Sequence, residues 1–113
     1  MDANAIVVIH GVEWKLADLR ARIEECRRRQ WRRQRWARHD ALVHRGDGMA
    51  LPYVGQPFDP AEFEVVRGGW TRNFCEVCRW ELFESDDPQH SVGYTDGRRW
   101  ICSECHDRYI RRP

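Results

Sequence analysis

The chain has 113 residues, of which 42% are hydrophobic and 33% charged, and its formal net charge is +1. This length favours one domain, or at most two small ones that cannot each bury a large core, and six tryptophans exclude a disordered chain. A net charge near zero argues against generic nucleic-acid binding, which depends on a positive field. Because no apolar run has membrane-spanning length, we expect a folded cytoplasmic protein.

Charge is distributed unevenly along the chain. Residues 1–50 carry 11 basic and 7 acidic side chains, a balance of +4, whereas residues 51–113 carry 8 and 11, a balance of −3. Lys15 is the only lysine among the 19 basic residues. An arginine bias of this kind reflects either a need for forked, stacking cations or a GC-rich genome. Because the net charge is near zero, any nucleic-acid binding would have to be confined to the basic first half of the chain.

The first predicted elements are a β-hairpin and a helix. The apolar runs 6–9 and 12–14 can pair across His10-Gly11, although this dipeptide is a weaker turn signal than Asn-Gly. An apolar stripe at helical spacing follows, consisting of Leu16, Leu19, Ile23 and Cys26. The stripe predicts a helix that packs on the hairpin or on the rest of the chain, or that closes a homodimer. Within it, Cys26 is interpreted as a small buried apolar residue.

Residues 27–38 read RRRQWRRQRWAR, with seven arginines, two tryptophans and no acid. If the helix continues through Arg38, its stripe turns polar there, and Trp31 and Trp36 project away from it on different sides. Guanidinium groups one turn away can stack on these indoles, which contributes roughly 0.5–1 kcal/mol when exposed. The candidate partner-binding residues are therefore Arg27, Arg28, Trp31, Arg32, Arg35 and Trp36.

The alternative for this basic segment is a solvated helix face. In that case acidic residues of the same molecule neutralise it, including Glu81, Glu84, Asp86 and Asp87. The sequence leaves both interpretations open.

The middle of the chain is predicted to be a loop followed by a short helix. Residues 40–58 contain three glycines and two prolines, which is typical of a connecting loop. The sequence Asp59-Pro60-Ala61-Glu62 combines an N-cap, a first-position proline and a third-position acid. A helix should therefore run to about Val66, and Gly68-Gly69 should end it.

Four of the five cysteines form two pairs, Cys75-Glu-Val-Cys78 and Cys102-Ser-Glu-Cys105. Each C-x-x-C turn presents two thiolates that converge on one point, and zinc takes four such ligands in a tetrahedron. We interpret these cysteines as the ligands of one structural Zn²⁺, with a closed shell and no position for a catalytic water. A redox pair and strained disulfides are the alternatives.

The residues around the cysteine pairs predict a strand, a hairpin and a helix. Residues 80–83 can form the strand, and 85–90 a loop. Residues 92–101 can form a hairpin that turns on Asp96-Gly97. A helix should then run from about Ser103 to about Arg111, with the second cysteine pair at its start, where the helix dipole favours thiolates.

The first cysteine pair lies on a tight turn, the knuckle, which is followed by the hairpin and the helix. This order over residues 70–112 resembles the treble-clef zinc fingers. The predicted fold class is α+β, with an N-terminal hairpin and a long Arg-rich helix followed by a treble-clef zinc module. Residues 1–58 would supply the hairpin, the helix and a loop. Residues 59–113 would supply the short helix and the zinc module, packed against the first part as one unit.

The resemblance leaves the function open, because treble clefs include DNA readers, RNA binders, ribosomal proteins, adaptors and nucleases. The His-Asn-His nucleases resemble one another in an Asp-His pair on the hairpin, followed by Asn and His. The hairpin here, SVGYTDGRRW, has neither the pair nor the following Asn. His106 and Asp107 adjoin a ligand, but we interpret them as a solvent-facing polar turn. An enzyme is therefore not expected.

The expected function is a zinc-stabilised module that binds a partner protein. An adaptor, an immunity protein or antitoxin, and a phage-type inhibitor all fit, because arginine and tryptophan are enriched at binding hot spots. The alternative is RNA or DNA binding through residues 27–38, with tryptophan stacked on unpaired bases.

Overall fold

A computed structural model describes residues 5–111. In this range the strands are β1 (Ile6–Ile9), β2 (Val12–Lys15), β3 (Arg32–Arg35), β4 (His39–His44), β5 (Ala50–Pro52), β6 (Phe63–Trp70), β7 (Arg72–Phe74), β8 (Glu81–Phe83), β9 (Val92–Thr95) and β10 (Trp100–Cys102). The helices are α1 (Leu16–Arg27), α2 (Pro88–Ser91) and α3 (Ser103–Cys105), and α3 continues as a π-helical turn, His106–Ile110. These elements fit the predicted α+β class.

The chain divides into two compact units. One unit is made of the chain up to Trp36 together with the chain from Asn73 onward, and the other is made of residues 37–72. The second unit is thus an insertion in the first. This division differs from the boundary expected at residue 58.

The N-terminal hairpin and the start of the first helix confirm the predictions. β1 and β2 pair antiparallel, and the turn residues His10 and Gly11 have φ angles of 50° and 77°. Positive φ at both central residues suits the turn to the right-handed twist of the two strands. Helix α1 begins at Leu16 and buries the rest of the predicted stripe, namely Leu19, Ile23 and Cys26.

The predicted long Arg-rich helix is wrong, because α1 ends at Arg27. The indole N–H of Trp31 turns back and donates to the carbonyl of Cys26 at 2.7 Å. Carbonyls in the last turn of a helix have no partner inside it, and that of Cys26 accepts this indole N–H together with the backbone N–H of Arg29 at 3.1 Å. The chain then becomes extended, and the basic segment forms β3.

β3 completes a three-stranded antiparallel sheet in the order β10-β9-β3. The predicted hairpin of β9 and β10 is confirmed, with Gly97 at φ 104°. The carboxylate of Asp96 accepts the backbone N–H groups of Arg98 at 2.9 Å and Arg99 at 2.7 Å. These bonds fix the turn that brings the two strands together.

Trp36, which follows β3, is buried and only 1% exposed. Its backbone N–H donates to the carbonyl of Ser91 at 2.7 Å, and its indole N–H donates to the side chain of Asn73 at 3.1 Å. The expectation that Trp36 lies off the buried surface is wrong, because the backbone there is extended and points the indole inward.

The segments that flank the cysteines largely follow the predictions. β7 and β8 form a two-stranded sheet, and β8 lies within the predicted strand 80–83. α3 begins at Ser103 as predicted, and the π-helical turn carries the chain to Ile110. Part of the predicted loop at 85–90 is helical, because the side chain of Asp87 caps α2 by accepting the Gln89 N–H at 2.9 Å.

Residues 37–72 form a three-stranded antiparallel sheet in the order β5-β4-β6. The predicted loop is therefore wrong where β4 and β5 lie, and the predicted short helix is wrong as well. Asp59 does accept the Ala61 N–H at 2.9 Å, but it caps a turn, after which Phe63 begins β6. The aromatic and β-branched residues of this stretch favour a strand. Gly68, at φ 64°, lies within β6 rather than at a helix end.

Replacing Trp36 with Ala should lower the free energy of unfolding by ~3–5 kcal/mol, because it truncates a fully buried aromatic side chain. Arg35→Ala is the matched control, since its side chain is exposed on the adjacent position. The control should change the free energy by less than about 0.5 kcal/mol. Equilibrium urea denaturation measures both variants, and an equally small loss in both would place Trp36 outside the core.

Candidate metal centre

The four paired cysteines converge on one point. Their Sγ atoms all lie within 4.8 Å of one another, and the Sγ atoms of Cys78 and Cys102 are 3.7 Å apart. Four sulfurs held ~2.3 Å from a tetrahedral zinc ion lie about 3.8 Å from each other. All five cysteines of the chain are free thiols. The arrangement could therefore hold a metal ion, and it contains no disulfide.

A tight turn after β7 presents the first cysteine pair. The backbone N–H of Cys75 donates to the carbonyl of Trp80 at 2.8 Å, and the N–H of Arg79 donates to the carbonyl of Cys75 at 2.9 Å. Arg79 has φ 65°, which lets the chain reverse directly after Cys78. The N–H of Val77 points at Cys75 Sγ from 3.4 Å. Backbone geometry thus aims both sulfurs at the same point.

The junction of β10 and α3 presents the second pair. Cys102 ends β10 and is the N-cap of α3, and its Sγ accepts the N–H of Cys105 at 3.4 Å. The start of a helix carries a partial positive charge, which favours a thiolate there. The predicted position of this pair at the helix start is confirmed.

The four sulfurs lie in the hydrophobic core of their unit. Cys75, Cys102 and Cys105 are 0% exposed and Cys78 is 7% exposed. The surrounding buried residues come from the first hairpin, from α1, from the knuckle and from β10, namely Ile9, Leu19, Ile23, Cys26, Val77 and Ile101. A metal ion in this position would have a cysteine ligand on every side and would lie within the core.

Burial and mutual hydrogen bonding shift the pKa values of Cys75 and Cys105 in opposite directions. The pKa of Cys105 is raised far above its usual range by its hydrogen bonds with Cys102, Cys75 and Cys78, and then by burial. Burial also acts to raise the pKa of Cys75, but hydrogen bonds from the same three neighbours more than offset it, and the pKa falls. Hydrogen bonds from the neighbouring cysteines thus favour the charged form of Cys75. A divalent cation would allow all four to ionise.

The fifth cysteine, Cys26, does not belong to the group of four. It is 3% exposed, and burial, together with the neighbouring Cys75 and Glu76, raises the pKa of its thiol to about 11. The interpretation of Cys26 as a small buried apolar residue is confirmed.

Two aromatic stacks near the cysteines were not predicted. Trp80 lies between His10 and His90, at ring-centroid distances of 3.8 Å and 4.4 Å. His106 stacks on Tyr94 at 3.5 Å, and only 15% of its side chain is exposed, so its predicted place in a solvent-facing turn is wrong. These partners are far apart along the chain, and no local pattern links them.

The six candidate partner-binding residues do not form one surface. Arg27 donates to the carbonyl of Tyr109, Arg28 pairs with Glu25, Trp31 is half-buried and Trp36 is buried, while Arg32 and Arg35 are exposed on β3. Sequence reasoning missed Arg33, because it assumed a helix instead of a strand. The possible homodimer contact through Leu16, Leu19, Ile23 and Cys26 gains no support, since Leu19, Ile23 and Cys26 are buried inside the chain.

Comparison of the chain with protein-family models, with curated proteins and with solved structures finds no match. Among residues 5–111, no helix is both long enough and apolar enough to cross a membrane. Function must therefore be inferred from the geometry of the chain itself.

Replacing Cys75 with Ser should remove one ligand and abolish stoichiometric zinc binding, because three thiolates and a hydroxyl hold zinc far less tightly than four thiolates. Cys26→Ser is the matched control and should retain one zinc per chain, since Cys26 lies outside the group of four. Elemental analysis of the purified variants measures the ratio. Equal zinc content in the two variants would rule out Cys75 as a ligand.

All five cysteines should resist alkylation in the folded, zinc-loaded protein. Four thiolates would be bound to the metal, and burial of Cys26 keeps its thiol protonated at neutral pH. Mass spectrometry after iodoacetamide treatment should show no adduct, and chelation followed by the same treatment should show several. Rapid labelling of Cys26 in the loaded protein would contradict the burial described above.

Proposed function

We propose that the protein is a non-catalytic interaction module whose fold is stabilised by one structural Zn²⁺ bound to Cys75, Cys78, Cys102 and Cys105. The observation that carries this proposal is the convergence of four buried sulfurs within 4.8 Å. Zinc is the metal that a tetrahedral set of four thiolates suits best outside redox clusters. Structural zinc of this kind contributes on the order of 10 kcal/mol to the folding of small modules.

The order of elements supports the treble-clef interpretation of residues 70–112. A knuckle, a β-hairpin and a helix that begins at the second cysteine pair occur in that sequence. Two features depart from the simple pattern. α3 has only three residues before it becomes a π-helical turn, and β3 from the N-terminal half adds a strand to the hairpin.

The absence of catalysis is part of the proposal. A metal ion enclosed by four buried sulfurs has no open coordination position for substrate or water. In the part of the chain that the structure describes, no second group of three or more His, Cys, Asp or Glu residues has metal-binding geometry. His106 stacks on Tyr94 and contacts Asp107 at 3.3 Å, which supports a packing role.

The proposed partner is a protein, and the binding surface is the exposed strand β3. Its arginines, Arg32, Arg33 and Arg35, are all exposed. The nucleic-acid alternative required tryptophans on which bases could stack. Trp36 is 1% exposed, and Trp31 is half-buried against the core cluster. With the surface for base stacking reduced in this way, arginine pairing with carboxylates of a protein is favoured.

Charge reversal on β3 tests the proposed surface. The variant Arg33→Glu with Arg35→Glu should lose the protein captured by the wild type from lysate of the source cells, while its thermal unfolding stays unchanged. The matched control, Arg67→Glu with Arg98→Glu, reverses two exposed arginines outside β3 and should still capture it. Equal capture by both double variants would show that β3 is not the binding surface.

Nuclease treatment and salt separate the two classes of partner. Capture of a protein should survive nuclease treatment and weaken only modestly with salt. Binding to nucleic acid through about six phosphates should instead weaken about a thousandfold between 50 and 200 mM salt. Loss of the captured material on nuclease treatment would replace the protein partner with RNA or DNA.

A further inference from the structure

β3 is at the edge of its sheet, and the hydrogen-bond pattern shows which of its backbone groups are used. The N–H of Trp36 donates to the carbonyl of Ser91 at 2.7 Å and continues the register in which β3 pairs with β9. Hydrogen-bonded and non-bonded pairs alternate along antiparallel strands. Counting back from Trp36 in steps of two, Gln34 and Arg32 therefore form the hydrogen-bonded pairs with β9.

The far side of β9 gives the same alternation. The N–H of Asp96 donates to the carbonyl of Arg99 at 3.3 Å, in register with the β9–β10 pairing. Even-numbered residues of β9 therefore bond to β10, and odd-numbered residues bond to β3. The backbone N–H and C=O groups of Arg33 and Arg35 must then point away from β9, toward the open edge.

Nothing in residues 5–111 pairs with that edge, since β3 ends its sheet. The side chains of Arg33 and Arg35 lie on one face of the strand, because successive residues alternate between faces. Both are exposed, and neither side chain has a partner among the described residues. The same two residues thus supply free backbone groups and free positive charge.

The two faces of the strand differ. Arg33 lies directly across from Tyr94, whose ring is held by its stack on His106. Arg32 and Gln34 lie on the other face and contact each other, with Arg32 Nε 3.3 Å from Gln34 Oε1. A ligand that runs along the edge therefore meets Arg33 and Arg35 together on one face, and Arg32 with Gln34 on the other.

These observations select one kind of occupant. An exposed edge strand with free N–H and C=O groups binds an extended segment as an additional strand. A second copy of β3 in that place would set arginine opposite arginine, which is destabilising. Carboxylates spaced two residues apart would instead face Arg33 and Arg35 directly.

We infer that β3 accepts an extended acidic segment of a partner protein as a fourth, antiparallel strand, with carboxylates two residues apart opposite Arg33 and Arg35. This inference rests on the proposed function and specifies how its partner is held. Residues of the segment opposite Arg33 and Arg35 would make the backbone hydrogen bonds as well as the charge pairs. Residues between them would turn their backbone N–H groups away from β3.

The probe for this inference is a capped nine-residue peptide of alternating glutamate and threonine, titrated into the zinc-loaded full chain by calorimetry. Arg33→Gln with Arg35→Gln should weaken binding by at least about tenfold, because both charge pairs are lost. The matched double control is Arg67→Gln with Arg98→Gln, two exposed arginines outside β3, which should stay within about twofold of wild type. Circular dichroism before titration checks that both variants fold.

Methylated peptides separate strand addition from simple charge attraction. Methylating the glutamate backbone amides should abolish binding, because those N–H groups face β3, whereas methylating the threonine amides should leave affinity within about twofold. Equal affinity for both methylated peptides would overturn strand addition, and the proposed function would survive if the captured protein still required Arg33 and Arg35. If single-stranded RNA bound more tightly than the peptide and with a steep salt dependence, both strand addition and the proposed protein partner would be overturned.

Discussion

The convergence of four cysteine sulfurs in the core is the constraint on which the rest of the structure depends. It joins the knuckle after β7 to the junction of β10 and α3, two segments that are separated along the chain by the β9–β10 hairpin. The apolar face of α1 packs against the same cluster through Leu19, Ile23 and Cys26. A chain of this size has little other core, so the bound metal would supply much of the free energy of folding.

The proposed binding surface depends on this centre through the sheet. Cys102 ends β10, β10 holds β9, and β9 in turn pairs with β3, so the exposed arginines are positioned by strands that the cysteines anchor. Trp36 fixes the other end of β3 through its bonds to Ser91 and Asn73. A rigid edge loses little conformational entropy when a partner strand is added, which favours affinity.

Local signals in the sequence predicted local structure well. The two C-x-x-C pairs, the Asp96-Gly97 turn and the stripe on α1 each involve residues whose spacing alone determines the geometry. The errors came from pairings between distant segments. Residues 27–38 have good helix propensity, but Trp31 caps the end of α1 and the open edge of β9 takes the following residues as a strand. The signal at Asp59 was ambiguous for another reason, because a residue that caps helices also caps turns.

X-ray absorption at the zinc edge of the purified protein tests the closed tetrathiolate centre most directly. The predicted spectrum has four sulfur ligands at ~2.3 Å and no nitrogen or oxygen neighbour. Cys26→Ser should leave this spectrum unchanged, because Cys26 does not belong to the group of four. A first shell that contains fewer than four sulfurs, or a nitrogen or oxygen ligand in place of one, would contradict the proposed structural site.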